Sequence, residues 1–152
     1  MRRTILILMA IAAVASLPPA PPSAASGDPI LALGPFSSDE AFVHVRRLAG
    51  RIGPRPAGST AYRRAVRYVE GEFTGLGYDT RLQRFPLPQG GRSWNVIATS
   101  PSSTAVRLLI GAHLDTVAGS PGGNDNASGV AVLLEIARSL AGSTSTDGLA
   151  LV

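Results

Sequence analysis

Three side chains in the last third of the sequence have the chemistry of a metal site. His113 and Asp115 stand in the triplet His-Leu-Asp directly after an apolar run, and Asp125 follows a loop rich in glycine. A neutral imidazole binds a metal through one ring nitrogen, and a nearby carboxylate can hold the other nitrogen and fix its tautomer. Taken alone, the triplet is better explained by a strand-end histidine that is satisfied by its neighbours.

Asp125 extends this candidate site. The turn-forming residues Gly119–Asn124 return the chain tightly to the start of a helix. At that start Asp125 or Asn126 can simply cap the helix, although capping does not prevent metal ligation. A carboxylate has two oxygens and can bridge two cations about 3.5 to 4 Å apart, the spacing of two-metal hydrolases.

The elements around these residues form a crossover unit. Val106–Ala112 is predicted as a strand, and its run Leu108–Ile110 is typical of a strand covered on both faces. Ala127–Leu140 has the apolar stripe of a helix, and Leu149–Val152 begins another buried strand. This order predicts a parallel strand pair. Because ligands bind where loops leave the carboxyl ends of such strands, the three candidate side chains are expected on one rim.

Two helices and two strands precede this unit. Ser37 and Glu40 have the spacing of a capping box, and Ser59 can cap the second helix. The predicted bounds are 37–50 and 59–75 for the helices, and 78–85 and 94–99 for the strands. The pattern predicts an α/β fold, a partial three-layer sandwich that is truncated at the C-terminus. Its sheet is mixed, with parallel crossover units and helices on both faces.

The N-terminus has the order of features of a signal peptide. Arg2 and Arg3 precede the apolar run Ile5–Ala15, and Ser23–Ala25 offers a cleavage site. The run is shorter than the roughly 20 residues of a membrane-spanning helix. A membrane anchor or a buried helix is the alternative. We predict a signal peptide at 1–25, an irregular lead-in at 26–36 and a folded domain at 37–152, which implies a secreted, extracellular or periplasmic protein.

Composition limits the possible sites. The absence of cysteine excludes disulfides, thiolate metal sites and a cysteine nucleophile, so a metal must use His, Asp, Glu or water, as zinc does on nitrogen and oxygen ligands. Without Arg2 and Arg3, the 14 arginines become 12 against 10 acids, so the mature chain is nearly neutral. Six of the arginines are expected on solvated helix faces and not on a nucleic-acid surface: Arg46, Arg47, Arg51, Arg63, Arg64 and Arg67.

Several of these segments carry a family resemblance. Gly111–Thr116, Pro121–Ala131 and Leu134–Arg138 closely resemble the zinc aminopeptidases of the MH clan, which include bacterial leucyl aminopeptidase, aminopeptidase S and aminopeptidase Y. The upstream loop Gly53–Ser59 is similar to a segment found there before the core. The resemblance extends from about Ser37 to the end of the chain, and it identifies 37–152 as the N-terminal part of a zinc exopeptidase domain.

The resemblance implies a role for each candidate residue. It implies that His113 ligates one zinc ion, that Asp125 bridges two zinc ions in the complete site, and that Asp115 orients His113. It also implies a cis peptide bond between Asp125 and Asn126. The family's next strand leads into a Glu-Glu pair, a general base followed by a zinc ligand, and no residue up to Val152 matches that pair.

The expected function is therefore that of a secreted zinc-dependent exopeptidase, incomplete and inactive in this form. Peptides or proteins are the expected substrates, with no nucleic-acid partner and no stable membrane association after signal cleavage. Two alternatives remain open: a non-catalytic scaffold or binding domain of the same fold, and an acyltransferase similar to glutaminyl cyclase. The Glu-Glu pair, found downstream, would favour the peptidase.

Overall fold

The computed structural model describes residues 34–101, 103–143 and 146–152. The predicted signal peptide, residues 1–25, and the first part of the predicted lead-in, residues 26–33, lie outside the described residues. The chain separates into the units Met1–Ile30 and Leu31–Val152, and every described residue belongs to the second. Within this part, no helix combines the length and apolar character needed to cross a bilayer.

The helices begin where the sequence predicts them. The described helical elements are, in order, α1 (Ser38–Val45), a π-helical segment (Arg46–Ile52), α2 (Thr60–Gly75), a short kinked π-helical turn (Gly123–Ala127) and α3 (Ser128–Leu140). The Ser37 hydroxyl accepts from the amide of Glu40 at 3.2 Å, and the Ser59 hydroxyl accepts from the amide of Tyr62 at 3.0 Å. Each cap satisfies an amide that has no partner inside its helix. Both predicted caps are thus confirmed.

The second half of the predicted capping box is replaced by a long-range contact. The backbone amide of Ser37 donates to Oε2 of Glu135 at 2.9 Å, and not to Glu40. Glu135 lies fully buried on α3, where Nε of Arg138 also donates to its Oε1 at 2.7 Å. The hydrogen bond from Arg138, more than any other contact, lowers the pKa of the Glu135 carboxyl. The buried carboxylate of Glu135 therefore links the start of α1 to α3.

This carboxylate predicts an acid-sensitive component of stability. The folded pKa of Glu135 is lowered, so its contribution is present above the unfolded value of about 4.3 and is lost as the pH falls through the folded pKa. We expect Glu135→Gln to be less stable than the unchanged protein at neutral pH, and to lose less stability between about pH 6 and about pH 3. Urea unfolding across this range measures both slopes, and parallel slopes would contradict the prediction.

Four strands form one mixed sheet. They are β1 (Asp79–Pro86), β2 (Arg92–Thr99), β3 (Leu108–Ile110) and β4 (Leu149–Leu151). The strand order is β1-β2-β4-β3, with β1 and β4 antiparallel to β2 and β3 parallel to β4. Because α3 connects the parallel pair β3 and β4, the predicted crossover unit is present. The predicted α/β class with a mixed sheet is confirmed.

The apolar core lies between the helices and one face of the sheet. Val96 and Ala98 of β2 are buried at alternate positions, and Ala98 lies opposite Leu151 of β4. The helices α2 and α3 each bury one stripe in the same cluster. Those stripes consist of Tyr62, Ala65, Val66, Val69 and Phe73 on α2, and of Val130, Leu133, Leu134 and Ala137 on α3.

Strand β3 is shorter and more exposed than the sequence predicts. The predicted strand Val106–Ala112 is reduced to Leu108–Ile110. The side chains of Leu108 and Leu109 are 58% and 61% exposed, so the expectation that this strand is covered on both faces is wrong for the described residues. The reason is its position at the end of the sheet, where one edge has no neighbouring strand among the described residues.

Candidate metal centre

His113 and Asp125 are in direct contact beyond the carboxyl end of β3. The amide of Ala112 donates to the carbonyl of Val152 at 2.9 Å, which continues the parallel pairing of β3 and β4 up to the residue before His113. From there, Nε2 of His113 lies 2.9 Å from Oδ1 of Asp125. The expected convergence of these two side chains is therefore observed, although they are 12 positions apart in the chain.

Asp115 lies on the opposite side of the same imidazole ring. Nδ1 of His113 is 3.3 Å from the backbone carbonyl oxygen of Asp115 and 3.5 Å from its carboxylate Oδ1. All three candidate residues thus meet around one ring. The nearer partner of Nδ1 is the carbonyl and not the carboxylate, a contact that sequence reasoning did not anticipate.

Asn126, and not Asp125, supports the start of α3. The side-chain Oδ1 of Asn126 accepts from the amide of Gly129 at 3.0 Å, and the hydroxyl of Ser128 donates to the carbonyl of Asn124 at 2.7 Å. The carboxylate of Asp125 is therefore free to approach His113. The peptide bond between Asp125 and Asn126 is cis, as the family resemblance implies.

A close approach between two loops places Asp125. Gly122, just before the turn that carries Asp125, has φ +60°, a conformation that side chains disfavour. A Cβ atom at this position would lie 2.4 Å from Cγ2 of Thr116 and 2.6 Å from the carbonyl oxygen of Asp125. Only glycine fits this contact between the loop after His113 and the loop before α3.

The candidate centre is open to solvent and adjoins a cavity. The side chains of His113 and Asp125 are 52% and 84% exposed, so a metal ion has access to both. A cavity of about 320 Å³ lies beside them, and its lining includes Tyr62, Trp94, Ala112, His113, Leu114 and Asp115. His113 and Asp115 thus belong both to the candidate centre and to the wall of a space large enough for a small ligand.

A buried arginine holds the two loops of the centre together. Arg55 is fully buried, and its Nε donates to the carbonyl of Leu114 at 2.7 Å while Nη1 donates to the carbonyl of Pro121 at 2.7 Å. Nη2 also donates to the carbonyl of Gly122 at 3.3 Å. One guanidinium therefore bonds to the residue between His113 and Asp115 and to the loop that precedes Asp125.

The backbone of Arg55 makes the same connection. Its amide donates to the Thr116 hydroxyl at 2.9 Å, and the amide of Thr116 donates to its carbonyl at 3.3 Å. Burial lowers the pKa of the Arg55 guanidinium, and the negative charge of Asp115 opposes that change. The guanidinium nevertheless stays protonated in proteins, so all its donors remain available for these carbonyls.

Sequence reasoning did not identify Arg55 as a site residue. It treated Gly53–Ser59 as an irregular loop that resembles a family segment. The available signal was an arginine between two prolines, Pro54 and Pro56, where the backbone is stiff and a long side chain can reach a fixed target. The buried contacts of Glu135 lie with Ser37 and Arg138 and not at the candidate centre.

Comparisons with known proteins find similar sequences. Residues 95–152, which include all three candidate residues, match the profile of Peptidase family M28. Leupeptin-inactivating enzyme 1 of Streptomyces exfoliatus is 38% identical over 90 residues, which are 59% of this chain and 20% of that enzyme. The probable lipoprotein aminopeptidase LpqL of Mycobacterium tuberculosis is 50% identical over 73 residues, which are 47% of this chain and 15% of LpqL.

Solved structures show the same fold. Glutaminyl cyclase of Porphyromonas gingivalis superposes with a TM-score of 0.67 and 31% identity, over 76% of this chain and 44% of that one. A Zn-dependent exopeptidase of Parabacteroides distasonis gives a TM-score of 0.67 and 25% identity, over 79% and 47%. The chain spans less than half the length of each of these four proteins. The similarity of this chain to Peptidase family M28 extends over residues 95–152.

Proposed function

We propose that this chain is the N-terminal part of a secreted, zinc-dependent exopeptidase of the aminopeptidase type, which removes residues from the ends of peptides or proteins. His113 and Asp125 would hold zinc, and Asp115 would orient the imidazole of His113. The observation that carries the proposal is the 2.9 Å contact between Nε2 of His113 and Oδ1 of Asp125, within the part of the chain that matches Peptidase family M28.

The contacts of His113 fit a cation at this position. Both ring nitrogens face oxygen acceptors, Nδ1 towards Asp115 and Nε2 towards Asp125. A neutral imidazole carries one N–H, so it can donate to only one of them. The other oxygen acceptor is satisfied by a second proton on the ring, or by a metal ion that Nε2 and the Asp125 carboxylate share. Imidazole nitrogen and carboxylate oxygen are ligands that zinc accepts.

The described residues supply part of such a centre. No group of three or more His, Cys, Asp or Glu side chains within 34–101, 103–143 and 146–152 is arranged to hold a metal ion. A bound zinc ion would supply the polarisation of a scissile carbonyl and the activation of water. The roles of this chain are then to bind through His113 and Asp125, to hold the Nδ1 proton of His113 at Asp115, and to keep both loops in place through Arg55.

Each alternative can be weighed against an observation. A glutaminyl-cyclase-like acyltransferase is supported by the 31% identity to the Porphyromonas gingivalis enzyme. The profile match to Peptidase family M28 and the Zn-dependent exopeptidase neighbour favour the peptidase. A purely structural scaffold would have no physical need for an exposed histidine with carboxylates at both of its nitrogens.

The proposed location is outside the cytoplasm, after removal of the signal peptide at residues 1–25. LpqL is described as a lipoprotein, and its similarity to this chain supports export. This chain contains no cysteine for lipid attachment, so the proposal is a secreted or periplasmic protein.

The chain alone is expected to be inactive because its described residues include no group of three or more side chains arranged to hold a metal ion. Purified chain with zinc, given aminoacyl-anilides and peptides with N-terminal glutamine, should show no turnover above that of His113→Ala. Metal-dependent release of the anilide group, or cyclisation of the glutamine, would contradict this expectation.

A chimera tests the activity itself. Residues 37–152 would replace the superposed segment of the Parabacteroides exopeptidase, which supplies the rest of the fold. Zinc-dependent hydrolysis at free amino termini is expected, and His113→Ala should reduce it by more than about 10–100-fold, the loss typical of an outer-shell partner of a metal ligand. His44→Ala, at the other histidine of the chain, is the matched control and should retain activity. A folded chimera in which both variants behave alike would refute the proposed role.

A further inference from the structure

We infer that a groove between the π-helical segment and α2 binds a compact oxyanion with two or more negative charges, of the phosphate or pyrophosphate class. The groove measures about 500 Å³ and is lined by Arg47, Arg51, Ile52, Arg64, Arg67 and Tyr68. We refer to it as the arginine groove. Four of its six lining residues carry a guanidinium, whose planar fork matches the oxygens of phosphate in a bidentate geometry.

The helices bring these arginines together through their periodicity. Arg47 and Arg51 are four residues apart in the π-helical segment. Backbone hydrogen bonds in a π-helix join residues five apart, so two residues four apart lie on the same side of the segment. Arg64 and Arg67 are three residues apart on α2 and are neighbours on its surface. Two basic pairs from adjoining elements therefore face the same space.

The four guanidiniums have no acidic ion-pair partner among the residues that the structure describes. All four arginines are exposed, and the arginine ion pairs found among the described residues are those of Arg107 with Asp147 and of Arg138 with Glu135. Like charges one helical turn apart destabilise a helix. An oxyanion in the groove would remove that repulsion, so the cluster has a physical reason to bind one.

The neighbouring groups leave the groove positive. Glu72 lines an adjoining groove together with Arg46, Arg47 and Arg51, and it faces Tyr68. Burial, followed by the charge of Glu72, raises the pKa of Tyr68 to about 12, so its phenol is neutral at physiological pH. The guanidinium of Arg47 lies 5.6 Å from the centre of the Tyr68 ring, a cation–π contact that orients it.

The arginine groove is separate from the candidate metal centre. No residue that lines it also lines the cavity beside His113. The inference therefore does not depend on the proposed peptidase function, and either can fail without the other. Sequence reasoning assigned these arginines to solvated helix faces, and the structure shows that four of them share a concave surface.

The test uses the full chain with inorganic pyrophosphate, followed by NMR at constant ionic strength. We expect saturable shifts of the Nε–H signals of the groove arginines. The double variant Arg64→Gln, Arg67→Gln should bind at least about tenfold more weakly, because it removes two charge-assisted donors. The matched control Arg81→Gln, Arg84→Gln removes the same charge from exposed positions of β1 and should bind within about twofold of the unchanged chain.

A second experiment, with lipid vesicles, distinguishes a lipid headgroup from a soluble anion as the source of the phosphate group. Sedimentation with phosphatidylglycerol vesicles that is lost only in the Arg64, Arg67 variant would identify a lipid headgroup as the ligand. Pyrophosphate binding without vesicle binding would identify a soluble anion. The inference is overturned if pyrophosphate causes no saturable shift, or if the two double variants weaken binding equally.

Discussion

Arg55→Met is expected to lower the free energy of unfolding by about 3–5 kcal/mol, the range for breaking a buried charged network. Methionine has a similar length and an apolar character, but the partners of Arg55 are backbone carbonyls, which no substitution at position 55 can remove. The carbonyls of Leu114 and Pro121, which receive the 2.7 Å bonds, would lose those donors. Each buried acceptor left without a donor costs about 1–3 kcal/mol.

Arg55→Lys separates charge from geometry. An ammonium group keeps the positive charge but cannot reproduce the fork that reaches Leu114, Pro121 and Gly122 together. Its stability should lie between those of the unchanged chain and Arg55→Met. Urea unfolding measures all three proteins. A loss of less than about 1 kcal/mol for Arg55→Met would show that Arg55 does not hold the two loops together.

Gly122→Ala is expected to lower stability by about 2–5 kcal/mol, from backbone strain of about 1–2 kcal/mol and overpacking of about 1–3 kcal/mol. The strain arises because alanine would have to adopt φ +60°. The overpacking arises because its Cβ would lie 2.6 Å from the carbonyl oxygen of Asp125, a backbone atom that cannot rotate away. Relief of this clash must move the chain that carries Asp125.

Gly119→Ala is the matched control. Gly119 lies in the same loop with φ +83°, but no atom lies within 4 Å of its hypothetical Cβ. It should therefore show the strain of about 1–2 kcal/mol without the overpacking. Thermal unfolding of both variants measures the difference between their losses of stability. Equal losses would mean that the close approach of the Thr116 and Asp125 segments does not restrict position 122.

Local signals explain which parts of the fold were predictable. Ser37 and Ser59 cap helices because the hydroxyl of each accepts from a free amide three residues later. This spacing can be recognised in the sequence. The convergence of His113 and Asp125 follows from the strand–loop–helix order, since a crossover brings both loops to one rim. The prediction that His113 and Asp125 converge does not depend on the identity of any other side chain.

Long-range contacts explain what the sequence could not provide. The carboxylate of Glu135 replaces Glu40 in the cap of α1 although it lies 98 residues from Ser37, and local spacing does not predict that choice. Arg55 donates to the carbonyl of Leu114, which is 59 residues away in the sequence. The exposure of Leu109 depends on which strands lie beside β3, a property of the sheet as a whole and not of the apolar run.

Zinc titration of the chain, observed through the NMR signals of its histidine rings, directly tests metal binding by His113 and Asp125. The chain has two histidines, so each ring reports separately: His113 at the candidate centre, and His44, whose Nδ1 lies 2.5 Å from the Tyr68 hydroxyl. We expect zinc to shift the His113 ring signals, Asp125→Asn to weaken this response, and the His44 signals to stay unchanged. Unchanged His113 signals, or equal shifts of both rings, would contradict a metal centre formed by His113 and Asp125.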